Sequence, residues 1–150
     1  MADPLSIAAS IAALLQLTQV AVAGLANIKD AANERSAIRD EVIYLTGLLF
    51  NLSGQVTSDK LWSGVVTVLS SPRGPLELLK EALEQLVRRL SPAGGLTKIG
   101  NSLAWPFQKK EIDEILRKIE RQKSLIMLAM ENTQLWVMVY VPSKLHADLF

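Results

Sequence analysis

From Pro4 to Ile28 the chain passes without an ionisable side chain, about 25 residues and long enough to cross a bilayer as one helix. Any fold it adopts must either bury this segment against protein or give it to lipid. Ala dominates the segment, and Ser6, Ser10, Gln16, Thr18, Gln19 and Asn27 interrupt it, whereas insertion is driven mostly by Leu, Ile, Phe and Val. The insertion energy is therefore marginal. Asp3 stands where the basic n-region of a secretory signal belongs and the first Lys or Arg is Lys29, so a signal peptide is a poor match.

On a helical wheel Ile7, Ile11, Leu14, Val22 and Leu25 fall on one line with Thr18, a stripe suited to a core. The opposite side is small: Ala9, Ala12, Ala13, Gln16 and Ala23. A small-residue face lets a neighbouring backbone approach closely, in a protein core or inside a membrane. Asp3 fits an N-cap and Pro4 the first helical position, where a missing N–H costs nothing.

The 150 residues suit one domain, and 49% hydrophobic against 21% charged residues is the composition of a folding chain. Sixteen basic and fifteen acidic side chains nearly cancel and aromatic residues are few, so nucleic-acid binding has no support. The absence of cysteine removes disulfides, thiolate catalysis and zinc-thiolate sites, and fits a reducing cytosolic setting. Asn51-Leu52-Ser53 matches a glycosylation sequon, but inside a helical stretch this is a chance match.

A second helix is expected from about Asn33 or Ser36 to about Gln55, with Ile38, Val42, Leu45, Leu49, Leu52 and Val56 as its seam. Leu61, Trp62, Val65, Val66 and Leu69 form a short apolar piece that periodicity leaves open between helix and strand, a short helix being favoured because no strand partner is evident. Pro75 is placed to open the next helix, carried by Leu76, Leu79, Leu83, Leu86 and Leu90 and closed by Arg88 and Arg89 at its carbonyl end. Ser91 to Gly95 ends it. Residues 96–105 read as a connection with about one helical turn.

Pro106 is expected to open a long final helix with Ile112, Ile115, Leu116, Ile119, Ile126, Met130, Thr133 and Val137 on one side. From Ser124 to Ser143 the only charge is Glu131, which makes this stretch a weaker spanning candidate beside the simpler reading of a buried C-terminal helix. Residues from about 141 to 150 form a tail after this helix. Trp105-Pro106-Phe107 suits a hydrophobic staple at the helix mouth, with a membrane-interface role for Trp105 as the alternative. Trp136 and Tyr140, one turn apart, suit a core or an interface belt. The whole is an all-α, four- to five-helix bundle with a long C-terminal helix.

Chemistry is sparse. His146 is the only histidine and has Asp148 near it, but lacks further ligands at metal spacing. Gly94-Gly95 lacks the Gly-Lys-Ser/Thr ending of a phosphate loop. Glu111 with Glu114, Glu77 with Glu81 and Asp40 with Glu41 lie among Lys and Arg as solvated faces. No nucleophile, base and orienting group can be assembled, so no catalytic, cofactor or metal site is expected and the chain is not expected to be an enzyme.

The opening Asp3-Pro4-Leu5-Ser6-Ile7-Ala8-Ala9-Ser10-Ile11-Ala12-Ala13-Leu14-Leu15, followed far downstream by Leu103-Ala104-Trp105-Pro106-Phe107 and then Lys109, Glu111, Leu116, Ile119, Glu120, Lys123, Ser124 and Leu125, resembles the N-terminal domain of fungal STAND proteins bearing NACHT or ankyrin regions. That family belongs with the HeLo-like, or HELL, domains, and the two motifs bracket most of the chain.

The resemblance implies a single HeLo-like bundle over residues 1–150, cytoplasmic at rest and directed to the plasma membrane on activation. There it would oligomerise, permeabilise lipid and cause cell death. Its inserting element would be Leu5 to Ile28, with Leu5, Ile7, Ile11, Leu14, Leu15, Val22, Leu25 and Ile28 meeting lipid and Trp105, Pro106 and Phe107 acting structurally. Its partners would be membrane lipids, other copies of itself and a sensor or amyloid-motif protein. No sensor or amyloid motif follows Tyr140, which reads as the executing domain alone or a piece of a longer protein. A non-lytic helical interaction module is the competing expectation.

Overall fold

Five helices account for nearly all of the described residues, 4–57, 63–90, 98–99, 102–103 and 105–131, of a computed structural model. Helix α1 spans Pro4–Ala26, α2 Ala32–Thr57, α3 Ser63–Ser70, α4 Pro75–Leu90 and α5 Lys109–Glu131. A two-residue antiparallel pair, β1 Lys98–Ile99 and β2 Ser102–Leu103, sits between α4 and α5. The fold is an all-α bundle. The expected helical turn in residues 96–105 gives way to this minimal strand pair, with Lys98 opposite Leu103 and Ile99 opposite Ser102.

Four helices form a ring in which α1 packs on α2 and α4, and α5 closes it against both. Short period explains the packing. On α2 the seam Ile38, Val42, Leu45, Leu49, Leu52 and Val56 is buried as the three-and-four spacing requires. On α4 the buried set is Leu76, Leu79, Ala82, Leu83, Leu86 and Leu90. Helix α3, chargeless and buried through Val65, Val66 and Leu69, makes helix of the part of the open stretch from Ser63 on, Leu61 and Trp62 lying outside the described residues; it packs on α4 and α5.

Neighbours in the ring are not all antiparallel. Gly24, near the end of α1, lies against Leu90 at the end of α4, so α1 and α4 run in the same sense. Arg89 at the end of α4 pairs with Glu111 at the start of α5, which sends α5 the opposite way, parallel to α2. The α1–α2 turn meets the same end of the bundle, where Asp30 Oδ2 accepts from the Trp105 backbone N–H at 2.9 Å.

Two helix starts show their causes. Pro75 opens α4, with Gly74 before it packed so tightly that an added Cβ would fall 2.6 Å from Ser71 Oγ and 2.7 Å from Ser71 O. The final helix begins at Lys109 rather than at Pro106. Gln108 holds the cap: its carbonyl accepts from Ile112 N–H at 3.1 Å, and Glu111 reaches back to Gln108 N–H at 3.5 Å, half of a capping box. Phe107 and Ile112, at the two staple positions around that cap, are both buried in the core.

Candidate membrane-active face

Leu5–Ala26 has a mean hydropathy of 1.8 and, among the described residues, is the one helix long and apolar enough to cross a membrane. Only 28% of its most apolar window is buried. The helix therefore has one core stripe and is open over the rest of its surface. Its inner stripe is Ile7, Ile11, Leu14, Thr18, Ala21, Leu25 and, just past its end, Ile28. Its outer surface carries Leu5, Ala9, Ala12, Ala13, Gln16, Gln19, Val20 and Ala23, without a charge.

The eight residues that the sequence marks for lipid contact divide accordingly. Ile7, Ile11, Leu14, Leu25 and Ile28 are core, Leu15 and Val22 are half-buried against it, and Leu5 is 83% exposed. Val22 does not belong to the buried stripe as expected. Ala21 takes that position, because helical phase places the seventh residue after Leu14 on the core line and Val22 some 100° away from it.

Two of the polar interruptions of α1, buried Thr18 and exposed Ser10, are satisfied within the helix. Thr18 Oγ1 donates to Leu15 O at 2.6 Å and Ser10 Oγ to Ser6 O at 3.1 Å. Such hydroxyls carry their acceptors with them into any surroundings, since the helix that holds them also supplies the carbonyl.

Helix α2 contributes a second chargeless surface, which the sequence reading passes over. Between Val42 and Ser58 no Asp, Glu, Lys or Arg occurs, and Ile43, Gly47, Phe50 and Gly54 are exposed at steps of four, three and four. Helical phase puts this row on the α1 side of α2, while Glu41 and Tyr44 lie on the α5 side. Because α1 and α2 are antiparallel, the start of α1 and the end of α2 share one end of the bundle. The charge gap at 42–58 is the signal that would have found it.

Charge is concentrated elsewhere. Outward α4 carries Glu77, Lys80, Glu81, Glu84 and Arg88, and outward α5 carries Lys109, Lys110, Asp113, Glu114, Arg117, Lys118, Glu120 and Arg121. Lys123, half-buried on the α2 side of α5, pairs with Glu41 of α2 at 2.6 Å and lies 5.4 Å from the centre of the Tyr44 ring.

The Trp105-Pro106-Phe107 segment is structural in its contacts. Phe107 is buried, Trp105 meets it edge-on at 5.2 Å between ring centres, and Arg89 stacks over the Phe107 ring at 5.2 Å while pairing with Glu111 and donating to Pro106 O. Thus one arginine ties the end of α4 to the start of α5. Among the described residues no group of three or more His, Cys, Asp or Glu is placed to hold a metal ion. Trp136, Tyr140, His146, the tail and most of the Ser124–Ser143 spanning candidate lie outside the described residues, as does Asp3. No protein-family model, curated protein or solved structure matches this chain.

Proposed function

We propose that the chain is a membrane-targeting executor bundle of the HeLo-like kind, in which clustering releases α1 from the bundle so that it exchanges protein contacts for lipid and oligomers permeabilise the bilayer. The observation that carries this reading is α1 itself: chargeless, long enough to span, and buried over only 28% of its most apolar window. A helix held on one stripe gives up less packing on leaving than one enclosed on all sides. Its small outer face suits helix–helix contact in lipid, and its internally bonded hydroxyls reduce the cost of transfer. The physics is a bistable element biased by association.

The test is leakage of dye-filled anionic vesicles, with α1 charged on its solvent side. Gln16 is exposed at mid-helix, so Gln16→Lys leaves the resting core intact. At the bilayer centre the same change costs about 2.5–3.5 kcal/mol. Leakage by the native chain and its loss in Gln16→Lys, with unchanged thermal stability, supports the proposal; vesicles that stay intact at every concentration of the native chain refute it.

The exposed Ile43 and Phe50 on α2 favour a second reading, a docking module that binds a protein partner and spares membranes. Under that reading Gln16→Lys changes nothing, and Phe50→Ser abolishes partner binding.

A further inference from the structure

At the elbow between α1 and α2 a cavity of about 420 Å³ opens, within the size range of small-molecule sites. Its chemistry is two-sided. Val22 and Ala26 supply an apolar edge over the buried Leu25 and Ile28, and Lys29, Arg35 and Arg39 supply three cationic side chains. No acidic side chain lines it.

Three acidic groups stand near the cavity without lining it. Asp30 accepts the Trp105 backbone N–H, Asp40 stands 3.8 Å from Arg39 on the exposed side, and Glu34 lies in the first turn of α2. Arg35 donates through Nη1 to Ile28 O across the turn, which places its guanidinium at the cavity wall. The turn is held open by Ala31 at φ 54°.

We propose that this cavity binds a phosphate-bearing amphiphile, with the phosphate among Lys29, Arg35 and Arg39 and the apolar chain along Val22 and Ala26. Guanidinium groups match phosphate oxygens in pairs, and the ammonium adds a point charge. A free inorganic anion would use only half of the site; a neutral lipid would use only the other half. The site needs no release of α1, so it stands apart from the executor reading.

The experiment is calorimetric titration of the full chain with dihexanoyl-phosphatidic acid, beside inorganic phosphate and dihexanoyl-phosphatidylcholine, at low ionic strength. The phosphatidic acid is expected to bind saturably and at least about tenfold more tightly than either control. The double variant Lys29→Gln/Arg39→Gln, whose exposed side chains leave the Arg35 clasp in place, is expected to weaken it by about tenfold or more. Equal binding of inorganic phosphate, equal binding of the phosphatidylcholine, no binding at all, or an unaffected double variant each overturns the proposal.

Flotation with phosphatidylcholine vesicles, with and without phosphatidic acid, then separates the sources. Flotation only with the acidic lipid assigns the ligand to a bilayer, and soluble binding without flotation assigns it to a free amphiphile; either upholds the site. A chain that binds the lipid yet leaks no dye keeps the cavity and loses the executor role.

Discussion

Gly24 meets Leu90 so closely that a Cβ added to the glycine would lie 3.2 Å from the leucine Cβ. This is where α1 is held against α4, near the end of both helices. A larger residue here wedges the two apart: Gly24→Leu overpacks the contact at a cost of about 1–3 kcal/mol. If α1 acts by leaving the bundle, the variant shows a lower thermal midpoint together with faster vesicle leakage than the native chain. A lower midpoint with slower or equal leakage would separate α1 release from membrane damage.

The Lys123–Glu41 pair bridges α5 and α2 with side chains 16% and 19% exposed. Truncating one member leaves the other largely desolvated, so Lys123→Met is expected to cost about 2 kcal/mol. Adding Glu41→Gln removes the stranded charge. The double variant should lose less than the sum of the single losses by about 1 kcal/mol, read from urea unfolding in a double-mutant cycle.

Two glycines respond in opposite directions. Gly74 has no room for a methyl group beside Ser71 and Val68 O, and Gly74→Ala is expected to destabilise by about 1–3 kcal/mol. Gly47, mid-helix in α2, has nothing within 4 Å of an added Cβ, so Gly47→Ala is expected to stabilise by about 0.5–1 kcal/mol. Urea midpoints of the two variants on either side of the native value are the check.

Arg89 unites the Glu111 carboxylate, the Pro106 carbonyl and the Phe107 ring. Arg89→Ala removes all three from the start of α5 and is expected to cost about 1–3 kcal/mol. Hydrogen exchange should quicken in the first turn of α5 before the middle of α2 is affected.

Much of this architecture was legible because helix period and capping chemistry agree locally. Pro75, the leucines of α4 and Arg88–Arg89 at its end act through neighbours in sequence, and α4 runs from Pro75 to Leu90. Pro106 signals the start of α5 too early, because a proline at the first helical position is a common signal. Here Gln108 and Glu111 form the cap two residues later. The i+3 and i+4 steps from Thr18 admit either Ala21 or Val22, and helical phase decides that Ala21 is the one buried. The parallel pairings of α1 with α4 and α2 with α5 were beyond local reading, since they depend on where α3 returns the chain. The elbow cavity was equally hidden, because Lys29, Arg35 and Arg39 line it only once the turn at Ala31 sets the start of α2 beside the end of α1.

The absence of native cysteine makes a reversible lock straightforward to interpret. Gly24→Cys/Leu90→Cys places two thiols on Cβ atoms 3.2 Å apart, which a shift of a few tenths of an ångström brings to the roughly 3.5–4.5 Å separation of disulfides, tying α1 to α4. The same protein is then assayed on anionic vesicles oxidised and reduced. Leakage confined to the reduced form is the expected result; equal leakage in both forms would mean that α1 never has to leave α4, and the account would fail.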